Sequence, residues 1–188
     1  VKALVITAVI LILAWSISAI IKDLGTSVYL VSLLSDSTPQ FILPSIIFIL
    51  GSIISFSTGT SYGTMGILMP LTIPLANAVG LHVGLEPVAL GDYIILNIGA
   101  VLTGAIFGDH CSPISDTSIL SSMGASCDHM DHISTQLPYA LFVGAVAIIF
   151  GYIPAALGYS ATILLPLGIV VIILTIRFYG KPFLNQKA

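Results

Sequence analysis

The chain has 188 residues, of which 57% are hydrophobic and only 7% charged, and its formal net charge is −3. A soluble domain carries roughly 25% charge, and a chain this small leaves much of its surface exposed. That surface must therefore be apolar, and its solvent is lipid, in keeping with a mean hydropathy of +1.12. Five Lys+Arg make no basic field for a phosphate backbone, which excludes nucleic acid as a partner. Two cysteines, Cys111 and Cys127, are too few for a disulfide framework and form no Cys-x-x-Cys motif. The start, Val1-Lys2-Ala3-Leu4, has neither an initiator Met nor a signal-peptide cleavage site and reads as the cut edge of a longer protein.

Charge-free intervals locate the spans, because a crossing helix needs about 20 mostly apolar residues. Residues 3–21, between Lys2 and Lys22, read as the first span, with Trp15 inside it. Residues 24–34 are apolar but too short to cross and read as a re-entrant or interfacial piece. Asp36, Ser37, Thr38 and Pro39 punctuate the chain there, with Ser37 or Thr38 as N-cap and Pro39 at the first helical position. No charge then occurs between Asp36 and Glu86. Residues 41–56 form an apolar run, and residues 65–79 form another, interrupted by Pro70 and Pro74. Between them residues 57–64 are small or hydroxylated apart from Tyr62. Glycine costs about 1 kcal/mol in a helix interior and hydroxyls compete for backbone partners, so an unwound stretch is expected there.

Residues 92–107 are the next span, and it runs into the most polar segment, residues 108–118, before a short apolar piece at 119–123. Residues 126–136 read as a hydrophilic connector, and residues 137–157 and 161–176 as the last two spans. The expectation is an all-α polytopic membrane protein with about five transmembrane helices and two broken or re-entrant segments. Arg177, Lys181 and Lys187 follow the last span, which puts the C-terminus in the cytoplasm under the positive-inside rule. Counting back two crossings puts residues 126–136 there too.

Breaking a helix in hydrocarbon leaves backbone groups unpaired, which survives only where protein or a water-filled cavity covers them. Such breaks are how secondary transporters build ion sites from helix ends and unwound carbonyls. Thr58, Thr60, Ser61 and Thr64 offer neutral oxygens suited to a hard cation such as Na+; the alternative is a helix-packing patch of small residues. The second break holds Asp109 and Asp116. A carboxylate at membrane depth is costly and marks a functional site by default; beside hydroxyls it binds Na+ when ionised and a proton when neutral. The competing role is capping, with Ser115 or Asp116 at the start of a half-helix.

The run Phe107-Gly108-Asp109-His110-Cys111-Ser112-Pro113-Ile114-Ser115-Asp116-Thr117-Ser118, followed by Cys127-Asp128-His129-Met130-Asp131-His132, resembles the NhaC-type Na+/H+ antiporter family. Ser55-Phe56-Ser57-Thr58-Gly59-Thr60-Ser61-Tyr62-Gly63-Thr64 resembles that family's other polar motif, with Tyr62 where Trp is more usual. The resemblance covers nearly the whole chain. It implies a multi-pass secondary transporter of the cell membrane, not an enzyme, exchanging Na+ for H+ or coupling Na+ to an organic acid, with no cofactor. It further implies that residues 1–188 are a C-terminal transmembrane domain, one of two inverted repeats. The partners would then be Na+, H+, the lipid bilayer and the N-terminal half of the same transporter, with a homodimer as an open arrangement. Carried over, Asp109, Ser112, Ser115, Asp116 and Thr117 line one wall of the ion site, and Thr58, Thr60, Ser61 and Thr64 the other. His129 and His132 share a helix face and are candidate pH sensors.

Two rival classes stand beside this. Asp-His recurs at 109–110, 128–129 and 131–132 near the cysteines, which raises an intramembrane Asp/His/Cys metalloprotein, although no zinc-ligand template matches. The other rival is a non-transporting membrane subunit with ordinary helix packing.

Overall fold

The computed structural model describes residues 39–180, together with Ile12, Leu13, Ser16, Ala19, Ile20, Asp23, Leu24, Gly25 and Tyr29. The span expected over residues 3–21, the short piece over 24–34, and the caps Ser37 and Thr38 lie, as elements, outside the described residues. Among the described residues all regular structure is helical. From residue 39 onward the elements are α1 (Leu43–Thr58), α2 (Ser61–His82), α3 (Pro87–Cys111), α4 (Asp116–Gly124), α5 (His129–Ala156) and α6 (Ala161–Tyr179). Helices α2, α3, α5 and α6 are long and apolar enough to cross a membrane. The 16 residues of α1 make a helix of about 24 Å, against a hydrocarbon core of about 30 Å.

Local chemistry moved several boundaries. Pro39 stands before a turn rather than in a helix; α1 starts at Leu43, with Pro44 in the first turn, where a missing N–H costs nothing. The stretch expected to be unwound at 57–64 is a reversal of only two residues, Gly59 and Thr60. The hydroxyls around it bond backward to carbonyls one turn earlier, Ser57 to Ile53 at 2.8 Å, Thr58 to Ile54 at 2.9 Å and Thr64 to Thr60 at 2.9 Å. That pattern spares the helix ladder. Helix α2 runs straight through Pro70 and Pro74. The second break narrows from 108–118 to the four residues between Cys111 and Asp116, so Asp109 is helical. The connector at 126–136 is mostly helix, because Asp128 caps α5 by accepting from the Met130 and Asp131 N–H groups at 2.9 and 3.1 Å. A π-helical turn, Ala147–Tyr152, lies inside α5.

The order of contacts gives the topology. Gly51 lies against Leu68, so α1 and α2 form a hairpin whose tip is Gly59-Thr60. Gly80 meets Leu90 and Tyr93, so α2 and α3 form a second hairpin. Gly104 abuts the Phe48 backbone, Gly108 abuts Ser52, and the Ser112 hydroxyl reaches the Phe56 carbonyl at 2.7 Å. Residue numbers rise together along both helices, so α1 and α3 run parallel and end at the same level. The spacing Ala100-x-x-x-Gly104-x-x-x-Gly108 explains the closeness: a methyl at 104 would collide with the Phe48 carbonyl and one at 108 with the Ser52 carbonyl. Phe48, Leu68, Leu75, Val79, Tyr93 and Val101 fill the core of these three helices. Helix α5 returns antiparallel to α3, Gly144 on Phe107 and Tyr152 hydrogen-bonded to Thr103.

Candidate functional site

Two helix-to-helix junctions meet at the common end of α1 and α3. At the first, Gly59 closes α1 in the left-handed conformation (φ 65°), its N–H donating to the Ser55 carbonyl at 2.8 Å. Thr60 then caps α2, its hydroxyl accepting from the Gly63 N–H at 3.4 Å. Gly59 is required twice over, since a Cβ there would also stand 2.9 Å from the Ile114 carbonyl oxygen. Ile114 belongs to the second junction, so the two breaks press backbone to backbone.

At the second junction, Asp109 occupies the last turn of α3 and is only 7% exposed. Ser115 donates to its Oδ1 at 2.7 Å, and Thr117 reaches Oδ2 at 3.4 Å and the Ser115 hydroxyl at 2.7 Å. Ser115 occupies the N-cap position of α4, as expected of a cap, yet its hydroxyl serves Asp109 and makes no capping bond. The carboxylate thus lies beside the N-terminal end of α4, where backbone dipoles favour negative charge. The carbonyls left over at the end of α3 are met by side chains. Ser118 donates to the His110 carbonyl at 3.1 Å and Gln136 to the same oxygen at 3.2 Å. Ser112 joins the junctions through its bond to Phe56 and is fully buried. Among the described residues Arg177, in the last turn of α6, is the sole Lys or Arg, and the groups that serve the Asp109 carboxylate are hydroxyls.

The expected residues therefore divide. Asp109, Ser112, Ser115 and Thr117 converge at the second junction, and Thr60 and Thr64 brace the neighbouring turn. Thr58 is exposed and its hydroxyl stays on its own helix. Asp116, the first residue of α4, is exposed and is not drawn in beside Asp109. Ser61 begins α2 and is half-buried. His129 is tied to the junction by both ring nitrogens, Nε2 to the Pro113 carbonyl at 2.7 Å and Nδ1 to Ser122 at 3.1 Å, whereas His132 is a half-buried residue of the same helix. Among the described residues no three His, Cys, Asp or Glu side chains are grouped to hold a metal ion. Cys111 is buried and Cys127 exposed, both as free thiols. Sequence reasoning missed Ser118, Gln136 and the Ala100/Gly104/Gly108 stripe. The four-residue spacing of small residues was the readable signal for the stripe. An apolar groove of about 490 Å³ between α1, α3 and α5 is lined by Phe48, Phe56, Phe107, Cys111 and Leu141, and by none of the candidate ligands.

The Na+/H+ antiporter family model matches residues 1–154. The chain is 46% identical to an uncharacterized protein of Haemophilus influenzae over 151 residues, covering 80% of this chain and 27% of that protein. It is 33% identical to an uncharacterized Na+/H+ antiporter of the same organism over 118 residues, covering 61% of this chain and 23% of that protein. Identity to a malate-2H+/Na+-lactate antiporter of Bacillus subtilis is 37% over 102 residues, covering 52% of this chain and 19% of that protein. The chain thus spans about a quarter of the length of the curated relatives it matches. No solved structure matches it. With four helices able to cross a bilayer among the described residues, this is an integral, multi-pass membrane protein, and it belongs to the Na+/H+ antiporter family.

Proposed function

We propose that this chain contributes one wall of a Na+/H+ exchange site in the cell membrane, where Na+ and H+ take turns neutralising Asp109. One observation carries the reading: a buried carboxylate at the meeting point of two helix ends, served by hydroxyls, with no Lys or Arg bonded to it among the described residues. Burying a charge without a partner is expensive, so the carboxylate calls for a mobile cation or a proton. Ser115 and Thr117 can turn their lone pairs toward Na+ when their protons leave the carboxylate, which gives oxygen ligands suited to a hard ion. Proton binding restores the arrangement in which both hydroxyls serve Asp109. Ser112 ties the two turns together and Thr60 and Thr64 brace the first of them, while Asp116, Ser61 and Thr58 stand at the rim for ligands contributed from elsewhere in the transporter. Alternating access would expose this site to one side of the membrane at a time, driven by an ion gradient.

The test is Na+-driven proton movement in inverted membrane vesicles carrying the full-length protein. Asp109→Asn is expected to reduce exchange about 100-fold or more, since an amide takes up no proton and offers Na+ no countercharge. In the parent protein the apparent KM for Na+ should climb as pH is lowered across the range in which exchange is active, as competition between Na+ and H+ for one site requires. A KM that stays flat across that range would remove competition from the mechanism. Similarity to the malate-2H+/Na+-lactate antiporter favours a second reading, in which an organic acid crosses with the ions. Stimulation of proton flux by a small carboxylic acid in the same vesicles, absent with Na+ alone, would select it.

A further inference from the structure

The first two turns of α5 reach back onto the α3–α4 junction. Gln136 holds the His110 carbonyl and His129 holds Pro113. Their seven-residue separation puts both side chains on one face, with buried Ile133 between them. A carbonyl oxygen can only accept, so the 2.7 Å contact with Pro113 requires the proton on Nε2. Nδ1 lies 3.1 Å from the Ser122 hydroxyl, which itself donates to the Ile119 carbonyl at 2.9 Å. The ring thereby bridges the broken segment, the end of α4 and the start of α5. Pro113 immediately precedes Ile114, which presses on Gly59, and stands two residues before Ser115, the donor to Asp109.

We infer that His129 is a positioning residue for the ion site: its Nε2–H fixes the Pro113 carbonyl and so sets the reach of the Ser115 hydroxyl toward Asp109. The inference rests on the Asp109 reading above. It assigns the ring a hydrogen-bonding role, which the amide side chains test. Glutamine can set an N–H where Nε2 stands, whereas asparagine reaches only as far as Nδ1.

The experiment compares His129→Gln, His129→Asn and His129→Ala with Asp109→Asn in the full-length protein, using Na+-dependent proton exchange in vesicles. The Asn and Ala variants should raise the KM for Na+ by about 5-fold or more, with a smaller change in kcat. The Gln variant should stay within about 2-fold and keep the parent's pH profile. A Gln variant that behaves like Asn, or whose pH profile moves, overturns the inference. So does an Ala variant with the parent's KM, and in that case loss of exchange in Asp109→Asn leaves the Asp109 reading standing. Normal exchange in Asp109→Asn sinks the reading and the inference together. Hydrogen exchange in purified protein supplies a readout independent of transport. Amides of Ser112 and residues 114–116 should exchange faster in the Asn and Ala variants than in Gln, and equal protection in all of them counts against the clamp.

Discussion

The α1–α2 and α3–α4 junctions solve the same physical problem with different means. Each joins the carbonyl end of one helix to the amide end of the next. The first does so in two residues, with a left-handed glycine and a threonine cap, and carries no ionisable group. The second takes four residues and leaves three side chains, Ser115, Thr117 and Ser118, to serve a carboxylate and two carbonyls. A turn satisfied by its own backbone and one local cap can be rigid, and the first junction acts as the anvil against which Ile114 rests. One that relies on rotatable hydroxyls can exchange its hydrogen bonds for a ligand. The difference lies in chemistry, since both breaks end parallel helices at one level.

That contrast can be attacked by substitution. The largest loss is expected from Gly59→Val, which adds left-handed strain and a clash with Ile114. The combined cost is about 2–5 kcal/mol, and the readout is thermal stability in detergent, with the yield of folded protein beside it. A Gly59→Val variant as stable as the parent would mean that the two junctions do not press on each other. Ser115→Ala comes next. Loss of a hydroxyl bonded to a charged group should weaken Na+ affinity about 10-fold, measured as KM, while thermal stability moves far less. If stability fell and KM held, Ser115 would be a strut like its counterparts in the first junction. Smallest of all is Thr58→Ala, expected to leave KM and exchange rate within about 2-fold because its hydroxyl bonds only its own helix. A strong effect there would bring the first junction into the ion site.

Much of the helical order was legible because lipid punishes charge: the expected apolar runs 41–56, 65–79, 92–107, 137–157 and 161–176 each fall on one of α1, α2, α3, α5 and α6, although α3 takes in Asp92 and Asp109, and α5 starts eight residues early and takes in Asp131. Boundaries failed where polarity was taken for unwinding. Ser57, Thr58 and Thr64 are polar yet fully helical, since a hydroxyl folded onto the carbonyl one turn back needs no solvent. Gly59-Thr60, a left-handed end followed at once by a cap, was the narrower signal within that stretch. The reversal of direction there left no trace in composition, because only packing, Gly51 against Leu68, distinguishes a hairpin from a kinked crossing. For the site, the Asp109–Thr117 cluster could be named from residue types. Its division into a buried carboxylate at 109 and an exposed one at 116 could not, since it depends on the helix continuing to Cys111 and restarting at Asp116.

Hydroxyl groups as Asp109's immediate company have a corollary for coupling, on the exchange mechanism proposed above. A resident lysine beside the carboxylate would let the carrier cycle unloaded, the two side chains cancelling each other during the return stroke. Serine and threonine carry no countercharge, so an unloaded stroke drags a bare anion through a dehydrated passage. Solvation energy then works against slippage at this site. Placing a lysine near residue 115 would be the way to build a leaky, uncoupled carrier from this scaffold.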